Sequence, residues 1–163
     1  MLEVKNLEKS FGGIKAVNNC SFKIEKNTIN ALIGPNGAGK TTVFNIISGL
    51  IRPDKGEIYY HKKSIIKLQP HRIASLGISR TFQLIRLFPK LTVLDNLLLA
   101  HPGISEKLSV SLFKRNFIKT EEEKAKHECF HYLELVNMKE FSNKLAGDLS
   151  YGQQKLVEIA RCL

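Results

Sequence analysis

The sequence predicts an α/β fold in which a buried strand runs through a glycine-rich loop into a helix. Three observations lead to this prediction. Short apolar runs alternate with turn residues over the first third of the chain, helical repeats dominate from Thr92 onward, and the glycine-rich run 34–41 lies between an apolar run and a helical repeat. The 163 residues are 43% hydrophobic and 25% charged, which is typical of a globular domain with a packed core.

The first elements are strands. Leu2–Leu7 and Val17–Ile24 carry β-branched and aromatic residues at strand-like spacing, and Gly12 and Gly13 between them signal a turn. Thr28–Ile33 is a compact apolar run that stops at the loop, as expected of a strand covered on both faces. These runs predict an antiparallel strand layer followed by the phosphate-loop strand of a parallel sheet.

A helix follows the loop, and Gly49 and Pro53 mark its end. Gly56–Tyr60 then predicts another strand, and His71–Leu76 predicts a short helix after Pro70. The apolar face of the first helix is predicted to contain Val43, Phe44, Ile47 and Leu50.

The second half of the chain predicts a helical subdomain. Thr92 with Asp95, and Thr120 with Glu123, fit the capping box that opens a helix. The helix after Thr120 is predicted to bury one stripe, made of Ala125, Cys129, Tyr132, Leu133 and Val136. The last segment also has apolar residues at helical spacing, namely Leu156, Val157, Ile159, Ala160 and Leu163.

Composition argues against several classes of protein. No stretch approaches the roughly 18 uninterrupted apolar residues of a membrane-spanning helix, and the first residues lack an export signal, so we expect a cytosolic protein. Cys20, Cys129 and Cys162 are odd in number and lack CxxC spacing, which argues against a disulfide framework or a zinc site. The formal net charge is +10, but the cations are scattered, which disfavours nucleic acid as a partner.

The glycine-rich run matches the phosphate-loop pattern GxxxxGK followed by Ser or Thr, with Gly34, Pro35, Asn36, Gly37, Ala38, Gly39, Lys40 and Thr41. Its glycines let successive backbone N–H groups point at phosphate oxygens, and the helix that follows adds its positive end. We expect Lys40 to contact the outer phosphates and the Thr41 hydroxyl to hold Mg²⁺, with Thr42 completing the nucleotide-binding set.

The loop by itself leaves kinases, GTPases and motor ATPases open. A GTPase would carry an NKxD motif, and Asn143-Lys144-Leu145-Ala146 lacks the aspartate. A small-molecule kinase is not excluded by the loop, so the class depends on the rest of the sequence.

Three further segments resemble the ABC ATPase family. Leu149–Gln154, with the sequence LSYGQQ, resembles the LSGGQ signature, and Gln83 resembles the family's Q-loop glutamine. Phe11 matches the aromatic residue that stacks on adenine in that family. The stretches 77–88 and 91–96, and Tyr151 in place of the second signature glycine, are similar to the ATP-binding subunits of branched-chain amino acid importers.

This resemblance implies ATP and Mg²⁺ as ligands and a role in powering an importer. It implies that Gln83 has the catalytic role of orienting Mg²⁺ and the attacking water. Ser150, Gly152 and Gln153 would face the ATP bound by a second ATPase subunit, joined head to tail as a homodimer or heterodimer. Permease subunits would be the other partners, without direct contact to the cargo, at the inner face of the cell membrane.

In the family, the metal-binding aspartate, catalytic glutamate and switch histidine follow the signature helix, and residues 1–163 do not contain them. Asp95 also ends an apolar run, but Asn96 follows it, so we interpret Asp95 as part of a helix cap. We therefore expect negligible ATP hydrolysis by this chain alone. We also expect an incomplete core sheet, and a poorly soluble or partly molten isolated protein.

The predicted organisation is one ABC-type nucleotide-binding domain over residues 1–163. Residues 1–91 would form the β layer and phosphate-loop core, 92–148 the helical subdomain, and 149–163 the signature and its helix. Two alternatives stay open: a non-transport ABC protein that acts on nucleic acid or the ribosome, in line with the charge of +10, and a fragment that binds nucleotide without turnover.

Overall fold

The structure is a computed structural model that describes residues 1–82, 84–101 and 115–163, with the side chains of 115–121 excluded. The chain forms two compact units, Met1–Ile78 and Ser79–Leu163. The segment 79–91, expected from the sequence to join the β layer, belongs to the second unit.

The first unit contains a four-stranded antiparallel sheet. Its strands are β1 (Leu2–Phe11), β2 (Ile14–Ile24), β3 (Lys55–Tyr60) and β4 (Lys63–Ser64), in the order β2-β1-β3-β4. A tight turn at residues 12–13 joins β1 to β2, and both glycines there have positive φ angles. The predicted antiparallel strand layer is therefore confirmed, and its first two strands are longer than the sequence indicated.

Two helices accompany this sheet, α1 (Lys40–Ile47) and α2 (Pro70–Ser75). Side chains from α1, from the strands and from the residue after β4 form one core, made of Val4, Leu7, Val17, Val43, Ile46, Ile47, Ile58 and Ile65. Phe44 and Leu50, predicted to share the apolar face of α1, are exposed. Ile46 is buried instead, so the predicted face was only partly right.

The predicted buried strand Thr28–Ile33 was wrong for this structure. The segment has no regular secondary structure, and Ile29 and Ile33 are 104% and 89% exposed. A strand needs neighbours that accept and donate its backbone hydrogen bonds, and no described strand pairs with this segment. The apolar composition of the segment can be read from its own residues, whereas strand pairing depends on other segments of the chain.

The second unit is helical. It contains α3 (Val93–Leu98), α4 (Arg115–Leu135) and α5 (Tyr151–Ala160), with short 3-10 turns at Lys139–Phe141 and Ala146–Asp148. The core joins these helices through Val93, Leu97, Cys129, Leu133, Met138, Leu149, Val157 and Ala160. The stripe predicted on α4 is confirmed, because Ala125, Cys129 and Leu133 are buried and Tyr132 and Val136 pack against the core.

One predicted helix cap is confirmed and the other is wrong. The Thr92 hydroxyl accepts a hydrogen bond from the backbone N–H of Asp95 at the start of α3. Thr120, however, lies inside α4, which already begins at Arg115. The capping motif covers only four residues, so it gives no information on whether the residues before it are also helical.

The apolar face predicted for α5 was also only partly right. Val157 and Ala160 are buried, but Leu156, Ile159 and Leu163 are exposed. Glu158 takes a buried position between them.

Candidate nucleotide-binding site

The glycine-rich loop lies directly against strand β2. Gly37 and Gly39 have φ angles of +83° and +81°, in the left-handed region that side chains rarely adopt. A Cβ atom built on Gly39 would lie 2.0 Å from the carbonyl oxygen of Ala16, whereas one on Gly37 would meet nothing within 4 Å. Gly39 is thus required both by its backbone angle and by the close approach of β2.

The loop ends as the N-terminus of α1. Gly39 is the N-cap residue and has no side chain that could accept from the first-turn N–H groups. The first turn also carries no acidic side chain, so the partial positive charge of the helix end is not neutralised from within the turn. A helix start of this kind suits an anionic group such as a phosphate.

Lys40, at the end of the loop, binds the main chain at its beginning. Its Nζ atom donates to the backbone carbonyls of Gly34 and Pro35, at 2.7 and 2.6 Å. An ammonium group has three N–H donors, so these two bonds hold the loop curled and one donor is left for a phosphate oxygen.

Thr41 offers an oxygen ligand at the same helix end. Its side chain is exposed, and that of Thr42 is half-buried. Hydroxyl oxygens suit Mg²⁺, which prefers oxygen ligands and is often held jointly by protein and nucleotide phosphates. Thr41 therefore fits the metal role that its place in the motif predicts.

Phe11, the predicted base-stacking residue, is the last residue of β1 and is 47% exposed. The Nζ atom of Lys9 lies 5.4 Å from the centre of its ring, and the same Nζ donates to Asp54 at 2.7 Å. The Phe11 ring is thus partly accessible at the end of the β1–β2 hairpin, in the same unit as the phosphate loop.

The signature residues lie at the start of α5. Ser150 is the N-cap: its hydroxyl oxygen accepts from the backbone N–H of Gln153 at 3.3 Å, and the Gln153 side chain accepts from the Ser150 N–H at 2.9 Å. Because the hydroxyl accepts in this capping box, its own O–H donor is not used there. A Cβ on Gly152 would meet nothing within 4 Å, so the surface beside it is open.

The structure therefore places the predicted residues in two groups. Residues 34–42 and Phe11 lie in the first unit, and Ser150, Gly152 and Gln153 lie in the second. Gln83 lies outside the described residues. Asp95 has the structural role that the sequence predicted, in the cap of α3.

Sequence analysis missed the buried polar residues of the second unit, Asn96, Ser142 and Glu158. Asn96 and Glu158 are each 1% exposed, and both bind the main chain of the segment that contains Gln83. The available signal was a polar residue inside an otherwise apolar helical repeat, which shows that a position is unusual but does not identify its partner.

Comparison with known proteins agrees with these motifs. The family described as ABC transporter matches residues 17–163. The chain is 44% identical to the high-affinity branched-chain amino acid transport ATP-binding protein BraF of Pseudomonas aeruginosa, and 42% identical to the probable branched-chain amino acid transport ATP-binding protein LivG of Archaeoglobus fulgidus. Both matches cover 100% of this chain and 64% and 63% of the relatives, so the chain spans less than two thirds of their length.

Solved structures give the same fold. A nucleotide-free ATP-binding cassette from an ABC transporter matches 99% of this chain and 64% of its own, with a TM-score of 0.79 and 38% identity. A dimeric bacterial ABC transporter cassette matches 100% of this chain and 69% of its own, with a TM-score of 0.78 and 29% identity. Within the part of the chain that the structure describes, no helix has the length and apolar character needed to cross a bilayer.

Proposed function

The chain belongs to the ABC transporter family, and we propose that it is the ATP-binding component of an importer whose cargo is a branched-chain amino acid. The observation that carries this proposal is the phosphate loop, which ends as a helix start with no side-chain cap and is closed by Lys40. The names of the relatives, which are branched-chain amino acid transport ATP-binding proteins, support the cargo class.

In this proposal residues 34–42 bind the phosphates of ATP. Lys40 donates to the outer phosphates, Thr41 holds Mg²⁺, and Phe11 stacks on the adenine ring. Mg²⁺ would supply charge neutralisation between the phosphates. Gln83 would orient the metal and the attacking water, as its resemblance to the Q-loop glutamine implies.

The proposed partners are a second ATPase subunit and permease subunits. Ser150, Gly152 and Gln153 would contact the ATP held by the second ATPase subunit, and the dimeric cassette among the similar structures supports such an assembly. Ser150 keeps its O–H donor for this contact, and the N-terminus of α5 lies beside it. The assembly would lie at the inner face of the cell membrane.

Equilibrium dialysis with radiolabelled ATP and Mg²⁺ tests the proposal. We expect Lys40→Ala to weaken ATP binding about tenfold or more, because the charge-assisted contact to the outer phosphates is lost. Lys67→Ala is the matched control, since Lys67 is an exposed lysine of the same unit outside the loop, and it should bind as the wild type does. Equal ATP affinity in the wild type and Lys40→Ala would contradict the assignment of the site.

A further inference from the structure

Two side chains of helix α5 and that of its C-cap residue Arg161 hold the main chain of the segment 80–88. Lys155 Nζ donates to the carbonyl of Phe82 at 2.7 Å, and Glu158 Oε1 accepts from the N–H of Phe82 at 3.4 Å. One turn further on, Arg161 Nη1 donates to the carbonyl of Arg86 at 2.8 Å. The helix therefore binds this segment on both sides of residue 83.

The ion pair formed by Lys155 and Glu158 has a buried carboxylate and a partly exposed lysine. Glu158 is 1% exposed, and its Oε2 atom lies 2.9 Å from Lys155 Nζ. Burying the Glu158 carboxylate is costly, because it loses its hydration, whereas the Lys155 side chain stays 29% exposed. Two apolar side chains would fill the same volume, but they could not bind both the N–H and the C=O of Phe82. The pair is thus suited to fixing a piece of main chain.

The far end of the same segment is held from α3. Asn96 is 1% exposed, and its side chain accepts from the N–H of Phe88 at 2.8 Å and donates to the carbonyl of Phe88 at 3.1 Å. It also donates to the carbonyl of Thr92 at 2.9 Å. The segment is therefore attached at Phe82, Arg86 and Phe88 within a few residues of position 83.

The side chain of Phe82 is fixed as well. The guanidinium carbons of Arg80 and Arg86 lie 5.0 and 4.2 Å from the centre of its ring, which is within the range of cation–π contacts. Main chain and side chain of the residue preceding position 83 are thus both held in place.

From these contacts we infer that Lys155 and Glu158 are positioning residues that make Phe82, and the described residues of the segment 80–88 next to it, follow helix α5. The helix starts at Ser150, and Glu158 lies about 12 Å further along its axis at 1.5 Å per residue. A displacement of the signature end would therefore carry Phe82 along instead of being absorbed by the loop. Any effect of this displacement on ATP use rests on the proposed function. The attachment of Phe82 to α5 does not.

Amide hydrogen exchange measured on the 163-residue chain tests the attachment. In Glu158→Ala and in Lys155→Met we expect amides of the segment 80–88 to exchange about tenfold faster than in the wild type, because their local opening is no longer opposed. Glu158→Gln keeps an oxygen that can accept from Phe82, and it should restore exchange to within about threefold of the wild type. A role limited to the charge of Glu158 would not give this rescue.

Lys126→Met is the matched control, because Lys126 forms an exposed ion pair with Glu122 at 3.0 Å on α4. It should leave exchange in the segment unchanged. Wild-type exchange of the segment in both Glu158→Ala and Lys155→Met would overturn the proposal. Equally accelerated amide exchange in α3 and α4 would also overturn it, because the Lys155–Glu158 pair would then stabilise the second unit as a whole.

ATP affinity separates this inference from the proposed function. Because Glu158 lies outside the phosphate loop, Glu158→Ala should bind radiolabelled ATP within about twofold of the wild type. If the wild type bound no ATP, the proposed function would fail, while faster exchange in the variants would still support the attachment. If Glu158→Ala lost ATP binding with unchanged exchange, the attachment would fail instead.

Discussion

At the scale of single residues, Gly39 decides whether the phosphate loop can form. We expect Gly39→Ala to lower the free energy of unfolding by roughly 3 kcal/mol or more, because the left-handed backbone costs about 1–2 kcal/mol and the new methyl group meets the carbonyl of Ala16. Gly37→Ala has the same backbone penalty with open space around it, so it should lose only about 1–2 kcal/mol. Urea unfolding followed by circular dichroism measures both. Equal losses would show that β2 does not approach Gly39 closely.

Cys129 offers a second test at this scale. Burial raises the pKa of its thiol from 9.0 to about 11, and the thiolate is the form that reacts with alkylating reagents. At pH 8 we therefore expect iodoacetamide to label buried Cys129 more than about tenfold more slowly than half-buried Cys20. In urea the two rates should converge, as peptide mapping by mass spectrometry would show. Equal labelling of both thiols in the folded chain would mean that Cys129 is not in the core.

At the scale of elements, Ser150 at the start of α5 caps the helix, and in the proposed function it also contacts the ATP of a second subunit. Ser150→Ala removes the cap and should cost about 1 kcal/mol of stability, whereas Ser150→Asp keeps a good capping oxygen and should unfold like the wild type. Both variants should lose ATP-dependent dimerisation in size-exclusion chromatography. The first lacks the hydroxyl donor, and the second places a negative charge before the phosphates. A Ser150→Asp chain that dimerises with ATP would leave only the capping role.

Elements that are stabilised by near neighbours could be predicted from the sequence. The turn of the β1–β2 hairpin, the cap at Thr92 and the repeat of the α4 stripe all depend on residues within a few positions of their nearest partner. The phosphate loop belongs to this group, since its chemistry lies in eight consecutive residues.

Elements that depend on distant partners could not be predicted in this way. Thr28–Ile33 has the composition of a buried strand, but no described strand pairs with it. Glu158 binds Phe82, 76 positions earlier, and nothing in a helical repeat identifies such a partner. Charged residues inside an apolar repeat are nevertheless worth examining, because burial without a partner would be too costly.

At the scale of the whole molecule, the first unit leaves apolar side chains exposed before and after its loop. Ile29 and Ile33 are almost fully exposed, and Leu32, Phe44 and Leu50 are each more than two fifths exposed. The second unit buries a helical core and holds the segment 80–88 with Lys155, but it also exposes apolar side chains, such as Leu84 and Leu135.

The central claim is that residues 34–41 bind a triphosphate through their backbone amides. The chain has 11 glycines, so glycine-selective ¹⁵N labelling gives a spectrum in which each loop amide can be followed during titration with ATP and Mg²⁺. We predict saturable shifts for Gly34, Gly37 and Gly39, none for Gly147, and no shift of the loop signals with adenosine. Loop signals that stay in place at saturating ATP, or that shift equally with adenosine, would contradict the claim.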